Sequence, residues 1–544
     1  AVNGTATLNG DGNVVFTPDA SYTGPATFDY TVSDPQGVTS TATVTVDIGA
    51  QQSKVVTASF ASEPIKFGHD FEGALGQSQQ TTYADTGAWV LDTDNIAGTV
   101  TTSVPTSSTE FTALTNSDIS GATTEAKYLF FDYSTMTNVG KWGGGIHSGA
   151  DVTFSFASSD TYYWEPGYTV DPATGVNLQT VGAQSPIIDF TSTEKALVRG
   201  VLTDWSDFSA LSFSEVSDAS VGDIRLMKLN FDEWYNLTGD DLYDMSGAFA
   251  FYPQTGVGEF SGDVVARHDA YSQGADYFEF LYAHELGHSL GFDHPRTYGD
   301  EGGKYLEAPA SLDDVSNTVE TYSPLGLPNA DYPTTIMPWD IEAVQYVYGY
   351  DAFNAGDTIY PYSGDDYIFE AISDTGGIDT LDLSAFSSSL TVSLDPGNWL
   401  DLGQDHTVTN GFGDRNLYIP DNVYIENLKG GSGSDNLTGN AYNNILTGGA
   451  GNDTLIGGSG QDTAVFSGTL ANYQIDEELV SGLPFLKVTD TRSGSPDGVT
   501  HLARDMDHLQ FADQTLSYAA ALNPNQPPTA TNLDTAQTTL EDVA

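Results

Sequence analysis

Residues 284–294 read His284-Glu285-Leu286-Gly287-His288-Ser289-Leu290-Gly291-Phe292-Asp293-His294. His284 and His288 stand four apart, so a helix puts both imidazoles on one face. From there they can approach one ion at about 2.0–2.1 Å. Glu285 follows the first ligand and can reach a metal-bound water without ligating the metal itself. Gly291 lets the helix stop in a backbone conformation that a Cβ would oppose. The turn brings in His294 as a third nitrogen, and Pro295 blocks further helix. Three neutral imidazoles leave one zinc ion an open position, where water is acidified toward a pKa of about 7 and a peptide carbonyl can be polarised. Glu285 is then the expected general base, moving the water's proton to the leaving amine. Histidine is scarce, 9 of 544 residues. A chance match at these five positions is expected in roughly one such chain in 10⁵. Histidines that merely pack, or a zinc kept only as a structural ion beside Glu285, are therefore the weaker readings.

From about residue 354 the chain turns Asp/Gly/Asn-rich. Four nine-residue units begin at Gly430, Gly439, Gly448 and Gly457, the first reading Gly430-Gly431-Ser432-Gly433-Ser434-Asp435-Asn436-Leu437-Thr438. A fixed period of this length marks a calcium-binding parallel β-roll, and a flexible linker would not keep it. The glycines turn tightly and bare their carbonyl oxygens. The sixth position supplies a carboxylate, and the apolar residue two places on packs inside. The expected ligands are Gly431, Gly433 and Asp435, then Gly449, Gly451 and Asp453, then Gly458, Gly460 and Asp462. Asn444 stands where the other units have Asp and is a weaker acceptor. About six oxygens per ion suit Ca²⁺, and about two or three ions are expected in so short a roll.

Composition narrows the rest. Sixteen Lys+Arg against 75 Asp+Glu give a net charge of −59. That argues against nucleic acid or an anionic membrane as the main partner and favours bound cations. No cysteine is present, so any metal sits on His, Asp, Glu, Tyr or backbone oxygens. No run of 18 apolar residues predicts membrane insertion. Gly143-Gly144-Gly145 lacks the Lys-Ser/Thr of a phosphate loop, and no G-x-S-x-G elbow occurs. His69, His147, His268, His406, His501 and His508 are scattered and read as surface or satisfied residues.

Five segments are predicted. Residues 1–48 alternate apolar and polar around turns and read as a partial β-sandwich. Residues 49–149 are poorly periodic and read as an extension leading into the next domain. Residues 150–350 mix strands and helices in the order of an α+β domain. Residues 351–520 form the β-roll, and residues 521–544 open a further sandwich repeat.

The HExxHxxGxxH spacing, Pro295 and the following nonapeptides together resemble the serralysin family of metzincin zinc metalloproteases, over about residues 140–518. The flanks resemble cadherin-like repeats of large bacterial surface proteins. The resemblance implies an α+β metzincin catalytic domain followed by an RTX β-roll. It implies that Ala248, Phe249 and Ala250 lie in the edge strand that aligns substrate. It implies a junction calcium held from Asn354, Gly356 and Thr358 and from Asp374, Gly376 and Asp379. The family also has a turn beneath the zinc in which a Met precedes, by two residues, a Tyr that ligates the metal and can swing to the oxyanion. The best match is Val319-Glu320-Thr321-Tyr322, which makes Tyr322 the expected tyrosine and puts Glu320 where the Met belongs. Met337, three residues before Asp340, corresponds to a second Met outside that turn.

The resulting expectation is a secreted zinc endopeptidase acting on extended polypeptides, stabilised by several calcium ions and exported unfolded by a type I-like route to the cell exterior or surface. Two readings compete with it: an adhesive module with a relict peptidase domain, and a peptidase that processes its own parent chain. Cleavage specificity, inhibitor and propeptide are not readable from the residues. On this reading EDTA removes both peptidase activity and the circular-dichroism signal of the roll, and calcium added back restores only the fold. A roll that stays folded in chelator would remove the calcium argument.

Overall fold

The computed structural model describes the strands between residues 4 and 48, then residues 111–136, 139–158, 187–217, 222–230, 247–253, 261–297, 304–322, 331–404 and 415–522. Residues 49–110, His69, His406 and the strand expected within 525–542 lie outside the described residues.

The N-terminal segment forms two antiparallel hairpins, β1 (Gly4–Leu8) with β2 (Val14–Pro18) and β3 (Gly24–Ser33) with β4 (Thr39–Ile48). The alternating stretches 26–32 and 39–46 fall in β3 and β4, in line with their period of two.

The α+β domain is built on five strands: β5 and β6 form a small hairpin apart, Phe111–Ala113 with Gly140–Trp142, and the main sheet follows. It contains β7 (Ala150–Phe156), β8 (Leu211–Glu215), β9 (Ile224–Leu229), β10 (Ala248–Ala250) and β11 (Val264–Arg267), in the order β10-β11-β9-β7-β8. The pairs are parallel except β10 with β11, which closes one edge antiparallel. Strand β9 is central and every one of its residues is buried. It nevertheless carries two cations, and each is matched. Arg225 Nη2 lies 2.7 Å from Asp263 Oδ2, and Lys228 Nζ lies 2.8 Å from Glu194 Oε2.

Glu194 does double duty. It sits in the first turn of a helix, Ser192–Asp207, whose cap is Thr191; the Glu194 N–H donates to Thr191 Oγ1 and the Thr191 N–H donates to Glu194 Oε2, a reciprocal pair that fixes the helix start. Val198, Val201, Leu202 and Trp205 form the buried stripe of this helix. The helix Ala275–Ser289 is buried almost all round from Tyr277 onward, as a helix through the middle of a domain must be. A third, Pro338–Tyr348, begins with Pro at its first position and ends at Gly349.

One boundary moves. Residues 111–149, read as part of an extension, contribute to the core of the α+β domain: Leu114, Ile119, Leu129, Phe130 and Trp142 are buried in the same apolar cluster as Phe278 and Leu281. Their partners are distant in sequence, as when Trp142 Nε1 donates to Ser289 O at 2.9 Å. Irregular backbone held by such contacts has no periodic signature.

The nonapeptides form a two-sheeted roll. Strands Asn427–Lys429, Ile445–Thr447 and Asp462–Val465 stack parallel in one sheet. Asn436–Thr438 and Asn452–Ile456 stack in the other. Successive units thus alternate between sheets. Leu428, Leu437, Leu446, Leu455 and Ala464 line up inside as a buried column. The roll is braced on the α+β domain by Arg415, whose Nη1 donates to Ser316 Oγ at 2.9 Å and Asn317 Oδ1 at 3.3 Å. The Phe369 carbonyl accepts from the Thr334 N–H at 3.0 Å.

The Arg225–Asp263 pair tests the sheet. Its side chains are 2 % and 1 % exposed, so Asp263→Ala leaves an uncompensated cation in the core. We expect a loss of about 3–5 kcal/mol in urea denaturation of the domain, and a change below about 1 kcal/mol would show that the charge is hydrated.

Candidate metal centre

The helix Ala275–Ser289 delivers His284 and His288, and the turn after it delivers His294. That turn is fixed from several sides. Gly291 has φ +102°, and a Cβ there would collide with the Gly140 carbonyl, so both backbone and space demand glycine. The Phe292 N–H donates to Gly287 O at 3.0 Å. Tyr348 Oη donates to the freed Leu290 carbonyl at 2.7 Å. Trp205 stacks on Phe292 with ring centroids 5.7 Å apart. Beyond it the His294 N–H donates to Asp293 Oδ1, and Asp293 Oδ2 pairs with Lys304 Nζ at 3.0 Å.

The three imidazoles converge. His294 Nε2 lies 3.0 Å from His288 Nε2 and 3.3 Å from His284 Nε2. The opposite nitrogens face main-chain carbonyls: His284 Nδ1 is 2.8 Å from Val319 O, and His288 Nδ1 is 2.9 Å from Phe292 O. A carbonyl can only accept, so Nδ1 carries the proton in both rings and Nε2 keeps its lone pair. A proton on His294 Nε2 could bridge one of the two gaps, whereas a divalent cation meets all three nitrogens. Burial, then the neighbouring imidazoles, holds His284 well below its ordinary value, in the neutral form a metal requires. The donor set therefore fits zinc. Glu285 is fully buried in the same helix turn.

The turn expected beneath the centre is there. Asp340 Oδ2 accepts from the Val319 N–H at 2.8 Å and the Met337 N–H at 2.9 Å, and Asp340 Oδ1 accepts from Thr318 Oγ1 at 2.5 Å. This clamp sets the Val319 carbonyl behind His284. Tyr322 comes out of the turn with its ring 4.4 Å from that of His294 and 5.8 Å from that of His284. Met337 instead precedes the helix Pro338–Tyr348 as its cap. Glu320 occupies the floor, fully buried, with one carboxylate oxygen 3.2 Å from His288 Nδ1. It groups with His284, His288 and His294, the four offering ligand atoms within 4.8 Å of one another. Burial, then Asp340, Glu285 and Asp293, pushes its carboxyl well above the ordinary range. Ala248, Phe249 and Ala250 lie at the sheet edge with buried side chains, so main-chain atoms are what β10 can offer a ligand.

The candidate calcium ligands fall into two groups. At the junction, the segments 354–358 and 374–379 meet. The Thr358 N–H donates to Asp379 Oδ1 at 2.7 Å, the Gly376 N–H to Asp374 Oδ1 at 2.8 Å, and Asn354 Nδ2 to Ser373 O at 3.3 Å. Thr358 Oγ1 donates to Gly356 O. Asp379 Oδ2 is buried with no hydrogen-bond partner. In the roll, Asp435 accepts from Leu390 and Gly431 N–H groups. Asp453 and Asp462 accept on Oδ1 from the Asp435 and Asn444 N–H groups, while their Oδ2 atoms are buried without a hydrogen bond. Orphaned carboxylate oxygens between turns fit a hard cation. The second unit differs. Asn444 Nδ2 donates to Glu426 O and to Asn440 Oδ1, both at 3.1 Å, so this rung satisfies itself. Sequence reasoning missed Asp357, Glu426, Asp497, Asp505 and Asp507. Asp505 accepts from the Gly457 N–H and Asp507 from the Asp462 N–H, across more than 40 residues and with no local motif to reveal them.

Comparison with known proteins agrees with this layout. Residues 179–300 match the matrixin peptidase family, residues 429–464 match the RTX calcium-binding nonapeptide repeat in four copies, and residues 1–47 match a bacterial Ig domain. The last supports an N-terminal β-domain more than the cadherin-like resemblance in particular. The chain is 31 % identical to a serralysin of Proteus mirabilis over 56 % of this chain and 66 % of that protein. It is 30 % identical to serralysin G of Dickeya chrysanthemi and 28 % identical to metallopeptidase AprA of Pseudomonas marginalis, over 46 % and 45 % of this chain and 54 % of each relative. The matches thus span roughly half to just under two-thirds of these relatives' own lengths.

Burial pushes Asp453 and Asp462 up to about 7 in the calcium-free roll, against an ordinary 3.8. The folded roll then holds protons that the unfolded chain releases. Its calcium-free stability is greatest below the ordinary value and is lost as pH rises through about 7, while calcium affinity rises over the same range. Calcium titrations of the roll followed by circular dichroism between about pH 5 and pH 8 should show the midpoint concentration falling as pH rises. A midpoint that rises with pH would contradict the assignment of these carboxyls.

Proposed function

We propose that this chain, a serralysin-type metzincin with RTX repeats, is a zinc-dependent endopeptidase that hydrolyses extended polypeptides outside the cell. The observation that carries this reading is the convergence of three imidazoles, with His294 Nε2 3.0 Å from His288 Nε2 and 3.3 Å from His284 Nε2, beside a buried glutamate. In this reading His284, His288 and His294 hold zinc. When bound, zinc supplies Lewis acidity that acidifies a water molecule and polarises the scissile carbonyl. Glu285 takes the proton from the attacking water and delivers it to the leaving amine as the C–N bond breaks. Tyr322 turns its phenol toward the oxygen that becomes negative as the carbonyl carbon goes tetrahedral. The peptide lies antiparallel along β10, which recognises it through main-chain groups and so tolerates many side chains. Calcium, bound by the roll and the junction, neutralises carboxylates that would otherwise repel. Among the described residues no helix is long and apolar enough to cross a membrane.

Glu285→Ala separates the peptidase reading from an adhesive one. Casein cleavage should fall by about 10²–10⁴-fold, with zinc content and circular dichroism unchanged. Tyr322→Phe should lower kcat more than it raises KM. Undiminished cleavage in Glu285→Ala would sink the mechanism.

A further inference from the structure

We infer that Glu320 is a positioning residue of the metal centre: its carboxyl group stands behind two of the ligating imidazoles and tightens zinc binding. This rests on reading His284, His288 and His294 as the ligands. Glu320 occupies the position where the family resemblance calls for an apolar methionine. Its side chain is 0 % exposed, and neither carboxyl oxygen has a hydrogen-bond partner. One oxygen, Oε2, lies 3.2 Å from His288 Nδ1 and 3.9 Å from His284 Nδ1. The other, Oε1, fills a notch that exists because residue 287 is glycine; a Cβ there would collide with it.

These contacts have a particular character. The Nδ1 atoms of both rings already face main-chain carbonyls, Val319 O and Phe292 O. The carboxylate is therefore not required to orient the rings by a hydrogen bond. It is placed where the positive end of each polarised imidazole will be. As a packing element it is a poor choice, since an acid buried without hydrogen bonds costs stability that an apolar side chain of similar volume would not. A dication held on the far side of the two rings supplies the missing positive charge. A carboxylate behind a ligating histidine raises the basicity of that ligand. Glu320 does this for two histidines from one position.

The experiment measures zinc affinity by competition with a chromophoric chelator on the full, calcium-loaded chain. It compares wild type, Glu320→Gln, Glu320→Met and His288→Ala. Both Glu320 variants should bind zinc about 10–100-fold more weakly, although Gln keeps the shape of the side chain. Their cobalt(II)-substituted forms should show a shifted visible band. Zinc-free, both variants should melt higher than wild type, because an unpaired buried acid has gone. Affinity equal to wild type in the variants overturns the proposal, and so does a loss of affinity accompanied by a lower zinc-free melting point, which would mark Glu320 as a packing residue. If Glu320→Met does not fold, the Gln variant decides. Wild type that takes up no more zinc than His288→Ala refutes the centre itself, a different failure.

Discussion

The α+β domain is arranged around three imidazole nitrogens that converge on one another. The Nε2 atoms of His284, His288 and His294 approach to 3.0 and 3.3 Å, and nothing but a cation makes that arrangement favourable. The protein holds it in place from behind. Val319 O and Phe292 O fix which nitrogen of His284 and His288 carries the proton. The Val319 carbonyl is in turn set by the Asp340 clamp. The buried helix Ala275–Ser289 is capped by side chains from both ends of the domain, Trp142 and Tyr348. A lax scaffold would let the rings rotate apart, so the rigidity of this core is a requirement of the site.

Much of this was legible in the residues, for a definite reason. The histidine motif is local: helix period, glycine turn and following proline all lie within twelve positions. The nonapeptides are legible because their period repeats the geometry of one roll turn, and Leu437, Leu446 and Leu455 fall inside as that period requires. What could not be read depends on contacts between distant residues. Residues 111–149 have no regular pattern, and only the fold reveals that Trp142 reaches Ser289. Asp505 and Asp507 join the roll's carboxylates from the strand Met506–Gln510 and the turn before it. Glu320 was visible as a departure from the family pattern, yet its place behind two imidazoles follows only from the packing against Gly287.

The two metal territories solve one electrostatic problem in different ways. In the roll, Asp453 and Asp462 each keep an orphaned oxygen. Only the Asn444 rung replaces the acid with an amide and closes its own hydrogen bonds. In the catalytic core, β9 buries Arg225 and Lys228, but each is met by an acid from elsewhere in the domain. The first strategy makes folding contingent on ions from solution, and the second does not.

Arg415 has a mechanical meaning. Its guanidinium leaves the roll and grips Ser316 and Asn317, only a few positions along the chain from Val319. It acts as a strut between the ion-dependent half of the molecule and the backbone that steadies His284. Through that strut the roll is fastened to the same stretch of backbone that supplies the carbonyl behind His284.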